Sequence, residues 1–266
     1  MKQIDIAALI DLDRYPLDRP DRPAYRDLVA RCQAELAQDG LFNLEGFLRE
    51  DARTACVDAV MPRFAKQSFR HARRHNIYFR KDIPELPDDH PALQQVETVN
   101  HTLCGDVVED TAVTEIYEWL PFAAFLADVM EKPALYPMDD ALSRLNVMAY
   151  RAGEALNWHF DRSEFTTTLL LQAPQEGGGF EYARNLRRDD DPNYAGVTDL
   201  LTGKLTPTQM HVTPGTLNVF RGKNTAHRVT PVAGDIERVI TVFTFYEHPG
   251  AQFSDTEKMG FYGRTS

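Results

Sequence analysis

The stretch NWHFDRSEFTTTLLLQ, residues 157–172, ends in a run of β-branched and apolar residues that is typical of a buried strand. Several short segments of the same kind follow Pro137: LSRLNVMAY, GFEYAR, MHVT, TLNVFRG, AHRVTPV and RVITVFTFYE. Gly, Pro, Asn and Asp separate them, and no long helical pattern lies between them. This arrangement favours a β-sandwich or a double-sheet jelly roll over alternating βαβ units.

The chain before Pro137 has a different, mostly helical pattern. Pro23 can begin a helix that ends before Gly40, and further helices are predicted over 49–65 and 111–130, with a strand over 41–48. We therefore predict an α+β fold with a mainly β core and N-terminal helices packed against one sheet. It forms a single domain, 1–266, in which 1–137 is a mostly helical support region and 138–250 is the jelly-roll core. The polar segment 187–208 is interpreted as a long insertion or lid loop.

Composition restricts the classes of partner. The formal net charge is -11, so an average surface of this chain repels a nucleic-acid backbone or an anionic membrane. The three cysteines, Cys32, Cys56 and Cys104, lack the close spacing of zinc or redox sites and are expected to be free thiols. The sequence shows no signal peptide and no long apolar run. We expect a soluble, cytoplasmic protein that binds neither nucleic acid nor a membrane.

The opening stretch also contains a histidine and an acidic residue two positions apart. A chain of this composition has about one such pair by chance, so His159 and Asp161 are weak evidence by themselves. In an extended segment, however, residues i and i+2 point to the same face, so both side chains can reach one point inside a barrel.

His227, in the stretch NTAHRVTPV, is the best candidate for a third ligand. Two histidines and one carboxylate that leave adjacent positions open are the ligand set of non-haem Fe(II) oxygenases. On spacing alone, an equally good interpretation is that His159 is a satisfied core histidine and that His227 only caps a strand.

Arg238 begins the apolar segment RVITVFTFYE, where a guanidinium is costly unless it meets an anion. A structural Asp or Glu is the usual partner of such an arginine. The alternative partner is the distal carboxylate of 2-oxoglutarate bound to the metal.

The order HFD, then HRVTPV, then an arginine eleven residues after the second histidine resembles the Fe(II)/2-oxoglutarate-dependent dioxygenases, whose core is a double-stranded β-helix. The resemblance covers residues 146–247 most strongly. The longer string WHFDRSEFTTTLLLQ is similar to the amino-acid hydroxylases, including those that act on N-acylated amino acids, and to the related amino-acid halogenases. In those halogenases glycine replaces the carboxylate ligand so that chloride can bind iron, whereas this chain keeps Asp161.

The resemblance implies Fe(II), 2-oxoglutarate and O2 as cofactors. It also implies His159, Asp161 and His227 as catalytic iron ligands and Arg238 as the 2-oxoglutarate anchor. Asn146 and Tyr150 match, more loosely, positions that hydrogen-bond 2-oxoglutarate in related enzymes; ordinary strand pairing and packing explain them equally well.

The implied activity is hydroxylation of an unactivated C–H of a small amino acid or amino-acid derivative, of the EC 1.14.11 type. Two alternatives stay open. One keeps the same cofactors with desaturation, cyclisation or another oxidative outcome, and the other is a non-catalytic jelly-roll protein that binds a metal or small ligand. A homodimer is compatible with the sequence.

Substrate contacts are only weakly indicated. Arg73 and Arg74 form a basic cluster that can bind a substrate carboxylate or simply be solvated, and Glu164 can hold an amine or form a surface ion pair. Trp158 and its neighbour Phe160 can line the pocket or belong to the core. Strand alternation points Arg162 away from His159 and Asp161 unless the segment bends.

Overall fold

The computed structural model describes residues 5–266. The helices are α1 (Ile6–Leu9), α2 (Pro23–Asp39), α3 (Glu50–Gln67), α4 (Ala112–Glu118), α5 (Leu120–Val129), α6 (Tyr194–Leu201) and α7 (Asp255–Tyr262). The strands are β1 (Leu41–Leu44), β2 (Phe69–His75), β3 (Val96–Cys104), β4 (Tyr136–Pro137), β5 (Leu145–Tyr150), β6 (Leu156–His159), β7 (Thr166–Gln172), β8 (Glu176–Gly177), β9 (Phe180–Ala183), β10 (Thr208–Met210), β11 (Leu217–Phe220), β12 (Ala226–Val229), β13 (Val232–Ala233), β14 (Arg238–Phe243) and β15 (Phe245–Tyr246).

Two antiparallel sheets form the core. The larger has seven strands in the order β1-β11-β7-β14-β5-β3-β2, and the smaller has four in the order β10-β9-β12-β6. Strands that are distant in the chain alternate within each sheet, as in a jelly roll. The predicted α+β jelly-roll fold, with a mainly β core, is therefore confirmed.

The N-terminal helices α2 to α5 cover one face of the larger sheet. Leu145, Val147 and Ala149, alternate residues of β5, point to this face and belong to a hydrophobic cluster that also contains residues of α2, α3, α4 and α5. The cluster extends from Ile10 to Phe243 and so draws on both halves of the chain. This shared core supports the proposal that the chain folds as one domain.

Two features of the first half differ from the sequence prediction. Strands β2 and β3 extend the larger sheet at one edge, although we predicted mostly helix there. The sequence of β2, FRHARRH, has no apolar alternation because it is an edge strand, and edge strands commonly carry charge. The predicted helix 111–130 is two helices, α4 and α5, since Pro121 has no amide hydrogen with which to continue the first one.

The segment 187–208 is more ordered than the lid loop that we predicted, since it contains α6. Asn193 begins this helix by accepting a hydrogen bond from the amide of Gly196. The three cysteines are buried free thiols, as expected, and burial raises the pKa of Cys56 and Cys104 to about 11. No helix in the described part of the chain has the length and apolarity that a membrane crossing requires.

A cavity of about 370 Å³ lies between the two sheets. Its walls include residues of the larger sheet that face away from the helices, such as Met148 and Tyr150 of β5 and Ile240 of β14. The smaller sheet contributes residues of β6, β9 and β12. The fold therefore leaves a chamber inside the barrel, into which alternate residues of several strands project.

Candidate active site

Two histidines face each other across neighbouring strands of the smaller sheet. His159 ends β6 and His227 is its direct cross-strand partner on β12, so their rings are only 4.1 Å apart between centroids. Both side chains line the cavity and are buried, with 5% and 2% of their surface exposed. Antiparallel pairing thus brings together two imidazoles that are nearly seventy residues apart in the sequence.

The hydrogen bonds of the two rings leave the same nitrogen available in each. The Nδ1 atom of His159 donates to the carbonyl of Asn157 at 2.8 Å, and that of His227 donates to the carbonyl of Thr225 at 3.0 Å. An Nδ1–H group held in this way leaves the Nε2 lone pair free to bind a metal. Burial and, to a smaller extent, the nearby His159 lower the pKa of His227 to about 4 against the opposing effect of Asp161, so the His227 ring is neutral at pH 7.

Asp161 completes the cluster two residues beyond the end of β6. Its Oδ1 is 3.3 Å from Nε2 of His159, and its Oδ2 is 3.5 Å from Nε2 of His227. The ligand atoms of the three residues all lie within 4.8 Å of one another. Desolvation tends to raise the pKa of Asp161, but His227, His159 and Thr166 together lower it well below its usual range, so the group is a carboxylate. Two imidazoles and one carboxylate fit the ligand preferences of Fe(II).

The Asp161 carboxylate occupies a closely fitted space. The hydroxyl of Thr166 donates a hydrogen bond to Oδ2, and the Asp161 amide donates to the carbonyl of Gly222 at 3.0 Å. A Cβ atom added to Gly222 would lie 2.2 Å from Oδ2 of Asp161. A side chain at position 222 would therefore displace the carboxylate.

We expect the variant Gly222→Ala to bind Fe(II) more weakly, by about 10- to 100-fold, because displacing a supporting contact of a metal ligand typically has this effect. Anaerobic titration with Fe(II) measures the change. Gly260→Ala is the matched control, since a Cβ atom there meets nothing within 4 Å and the residue does not have a positive φ. Equal iron affinity of the two variants would contradict the assignment of Asp161 as a ligand.

Arg238 lies in the same cavity without an acidic partner. It is 5% exposed, and its side chain forms neither an ion pair nor a hydrogen bond within residues 5–266. Burial lowers the pKa of its guanidinium, and no carboxylate pairs with the positive charge. Its cross-strand partner is Tyr150, and the guanidinium carbon is 6.0 Å from the centre of that ring. A buried guanidinium without a partner fits a carboxylate ligand such as the distal end of 2-oxoglutarate.

Asn146 and Tyr150 differ in their access to this region. Tyr150 lines the cavity and is fully buried, and burial raises its pKa to about 12. Asn146 shares that face of β5 but does not line the cavity. Its amide donates to the carbonyls of Leu142 and Leu145, and its oxygen accepts a hydrogen bond from Tyr262 of α7 at 2.9 Å. Because these bonds occupy the Asn146 side chain, we keep only Tyr150 as a candidate contact for 2-oxoglutarate.

The two arginines of the basic cluster point in opposite directions. Arg73 lines the cavity, where its guanidinium carbon lies 4.8 Å from the centre of the Phe79 ring. Arg74 is exposed on the other face of β2 and does not line the cavity. Burial and the nearby Arg162 lower the pKa of Arg73. Of the two arginines, only Arg73 therefore stays a candidate for binding a substrate carboxylate.

The other substrate candidates, Arg162, Glu164 and Trp158, lie in three different surroundings. Arg162 lines the cavity because the chain bends after β6, and it forms an exposed ion pair of 3.6 Å with Glu257. Glu164 lines a neighbouring cavity of about 300 Å³ and is paired with Lys132 at 2.8 Å. Trp158 belongs to a separate hydrophobic cluster and lines neither cavity. The structure thus gives Glu164 and Trp158 no contact with the main cavity.

Two residues that the sequence analysis did not identify support the site. Arg187 donates to the carbonyls of Lys223 at 2.7 Å and Asp161 at 3.3 Å, and its guanidinium carbon lies 4.2 Å from the centre of the Phe160 ring. Phe79 stacks on His75 with a centroid distance of 4.4 Å and adopts a left-handed conformation with φ of 54°. Nothing in the sequence distinguished Arg187 from other residues of a polar segment. The conformation of Phe79 is uncommon for an aromatic residue, and residues in such conformations are often functional.

Comparison with known protein families gives one match. The family model of Halogenase D matches residues 26–258. No curated protein matches the chain significantly.

Three solved structures illustrate the likeness of the fold. An oxidoreductase of the 2OG-Fe(II) oxygenase family from Burkholderia pseudomallei is 15% identical, with a TM-score of 0.51 over 84% of this chain and 92% of that chain. The non-heme alpha ketoglutarate dependent epimerase SnoN from nogalamycin biosynthesis is 13% identical, with a TM-score of 0.57 and coverage of 83% of both chains. A Pseudomonas putida prolyl-4-hydroxylase is 14% identical, with a TM-score of 0.50 over 81% of this chain and 97% of that chain.

Identities this low are informative about the fold, while the family model covers most of the sequence and includes all three residues of the cluster. The resemblance inferred from HFD, HRVTPV and Arg238 is therefore confirmed at the level of the superfamily. The chain belongs to the Halogenase D family and is an Fe(II)/2-oxoglutarate-dependent dioxygenase.

Proposed function

We propose that this dioxygenase hydroxylates an unactivated C–H bond of a small amino acid or amino-acid derivative. The observation that carries the proposal is the cluster of His159, Asp161 and His227, in which a carboxylate occupies the third ligand position. In the halogenases that the sequence resembles, this position is glycine.

The proposed roles follow from the contacts of each residue. His159 and His227 would bind iron through Nε2, and Asp161 would bind it through a carboxylate oxygen, while Arg238 would pair with the distal carboxylate of 2-oxoglutarate. Iron with 2-oxoglutarate and O2, when bound, supplies the oxidation that couples formation of succinate and CO2 to cleavage of a substrate C–H bond. The protein holds the reactants in register and, through a mostly apolar wall, limits access of water.

The name of the family makes halogenation a second candidate, and the surroundings of Asp161 argue against it. Gly222 leaves room for the carboxylate, and Thr166 and the two histidines contact its oxygens. A carboxylate in this place occupies the coordination position that a halide would need. These contacts support hydroxylation, and they are equally compatible with desaturation or cyclisation.

Anaerobic addition of Fe(II) and 2-oxoglutarate, followed by O2 and a panel of free and N-acylated amino acids in the presence of chloride, tests the proposal. We expect an absorption band from the iron–2-oxoglutarate complex, succinate formation, and a product that has gained one oxygen atom in its mass spectrum. A product that has gained chlorine would favour the second candidate, and one that has lost two hydrogens would favour desaturation. Absence of both the band and succinate would contradict the enzymatic proposal. The homodimer stays a prediction, which light scattering of the purified chain checks.

A further inference from the structure

The charges that line the main cavity are unbalanced. Among residues 5–266, Asp161 is the only carboxylate in the lining, which also contains the guanidinium groups of Arg73, Arg162 and Arg238. The oxygens of Asp161 already contact His159, His227 and Thr166, and Arg238 is the proposed partner of 2-oxoglutarate. The part of the cavity that is left for a substrate therefore offers positive charge and no free carboxylate.

Arg73 is the positive group that is best placed to bind a substrate carboxylate. It is half-buried, and in the described part of the chain its side chain has neither an ion pair nor a hydrogen bond. Its guanidinium rests on Phe79, which in turn stacks on His75. The loop that carries Phe79 is fixed by Asn76, whose side-chain oxygen accepts hydrogen bonds from the amides of Tyr78 and Arg80. A positioned guanidinium without a partner is suited to a carboxylate.

Carboxylates near the mouth of the cavity are already engaged. Glu257 accepts hydrogen bonds from the amide and hydroxyl of Ser254 at 3.0 Å and 2.8 Å, and it also pairs with Arg162. Glu164 pairs with Lys132 at 2.8 Å and with Arg221 at 3.8 Å. An ammonium group that entered the cavity would therefore have to break an existing ion pair in order to gain one.

Aromatic rings are the other groups that can hold an ammonium ion. Five rings that line the cavity already face an arginine: Phe79 faces Arg73, Tyr150 faces Arg238, Phe160 faces Arg187, Phe165 faces Arg221 at 5.1 Å, and Phe261 faces Arg162 at 5.7 Å. A second cation at these rings would also be repelled by the arginine that is already there. The engaged carboxylates and the rings that already face an arginine thus offer an ammonium ion no favourable place.

We propose that the substrate is a carboxylate without an ammonium group, bound through Arg73, so that any α-nitrogen that it carries is acylated. This inference rests on the proposed function. It narrows the substrate class from amino acids in general to amino-acid derivatives whose nitrogen carries no charge. The rings of Phe253 and Phe261, which lie 5.5 Å apart and line the cavity, provide an apolar surface for the uncharged part. Burying an unpaired ammonium beside three arginines would be costly, whereas an amide nitrogen avoids that cost.

Matched sets of compounds test the proposal: L-leucine, L-phenylalanine and L-methionine, their N-acetyl derivatives, and the methyl esters of those derivatives. Each is added to the protein with Fe(II) and 2-oxoglutarate, and affinity is measured anaerobically from the change in the absorption band, then succinate formation with O2. We expect at least one N-acetyl acid to bind about 30-fold more tightly than its free amino acid and its ester, because the ester loses the charge pair with Arg73 and the free amino acid places an unpaired ammonium beside the arginines.

Two variants connect the preference to the cavity. Arg73→Gln is expected to remove the difference between N-acetyl acid and ester, whereas Arg74→Gln, on the exposed face of the same strand, leaves it unchanged. Asn100→Asp places a carboxylate in the cavity wall and keeps an acceptor for the hydroxyl of Thr102, so it should shift the preference toward free amino acids by about tenfold.

Several outcomes would overturn this inference. They are equal or tighter binding of the free amino acids, an Arg73→Gln variant with unchanged preference, and a panel to which the protein does not respond although the absorption band forms. The band distinguishes the two proposals, because its absence counts against the iron and 2-oxoglutarate site itself.

Discussion

The variant His227→Ala is expected to lose the absorption band of the iron–2-oxoglutarate complex and to form no measurable succinate. His227 offers one of three ligand atoms, and its ring is buried against His159. Removing only an outer hydrogen-bond partner of a metal ligand typically weakens metal binding by about 10- to 100-fold, so removing the ligand should weaken Fe(II) binding by more than that. Anaerobic spectroscopy and a succinate assay measure both effects.

His211→Ala is the matched control for this experiment, because His211 is exposed and does not line the cavity. Circular dichroism of both variants checks that the fold persists. If the His227→Ala protein is folded and binds Fe(II) with unchanged affinity, His227 is a structural histidine and the proposed ligand set is wrong.

The variant Arg238→Gln is expected to weaken 2-oxoglutarate binding by about 30-fold or more, because a buried charge pair loses one partner. Its effect on the protein without 2-oxoglutarate should have the opposite sign. Arg238 is buried with no acidic partner, so replacing its charge removes a desolvation cost and should leave the free energy of unfolding unchanged or raise it.

Thermal unfolding with and without 2-oxoglutarate measures both parts of this prediction. The original protein should be stabilised by 2-oxoglutarate, since a ligand that binds only the folded state raises its stability, and the variant should not. Arg188→Gln is the control, because the side chain of Arg188 is 73% exposed. A variant at Arg238 that unfolds more easily in the absence of 2-oxoglutarate, and that still binds it, would indicate a structural arginine.

Much of the architecture could be predicted from the sequence because the decisive segments have simple patterns. Short β-branched segments separated by Gly, Pro, Asn and Asp predict the jelly-roll strands, and Pro23 and Gly40 mark the ends of α2. Strand β2 could not be predicted in this way, because an edge strand with Arg and His at successive positions lacks the apolar alternation on which such a prediction depends.

The features of the candidate site can also be divided into those that the sequence predicts and those that only the folded chain shows. The sequence by itself determined the candidates: His159 and Asp161 in one short extended segment and His227 in a later strand as metal ligands, and Arg238 as the partner of 2-oxoglutarate. The tertiary structure alone decided which neighbours face the cavity. Arg73 points into the cavity and Arg74 away from it, and Arg162 reaches the cavity because the chain bends. Tyr262 donates a hydrogen bond to the side chain of Asn146, and Gly222 leaves room for the carboxylate of Asp161.

The physical reason is that alternation within a strand assigns side chains to two faces without specifying what packs on either face. That choice depends on partners that are distant in the chain, such as the pairing of His227 with His159 and the contact of α7 with β5. Irregular segments such as 161–165 follow no period at all, so the direction of Arg162 and Glu164 could be read only from the folded chain.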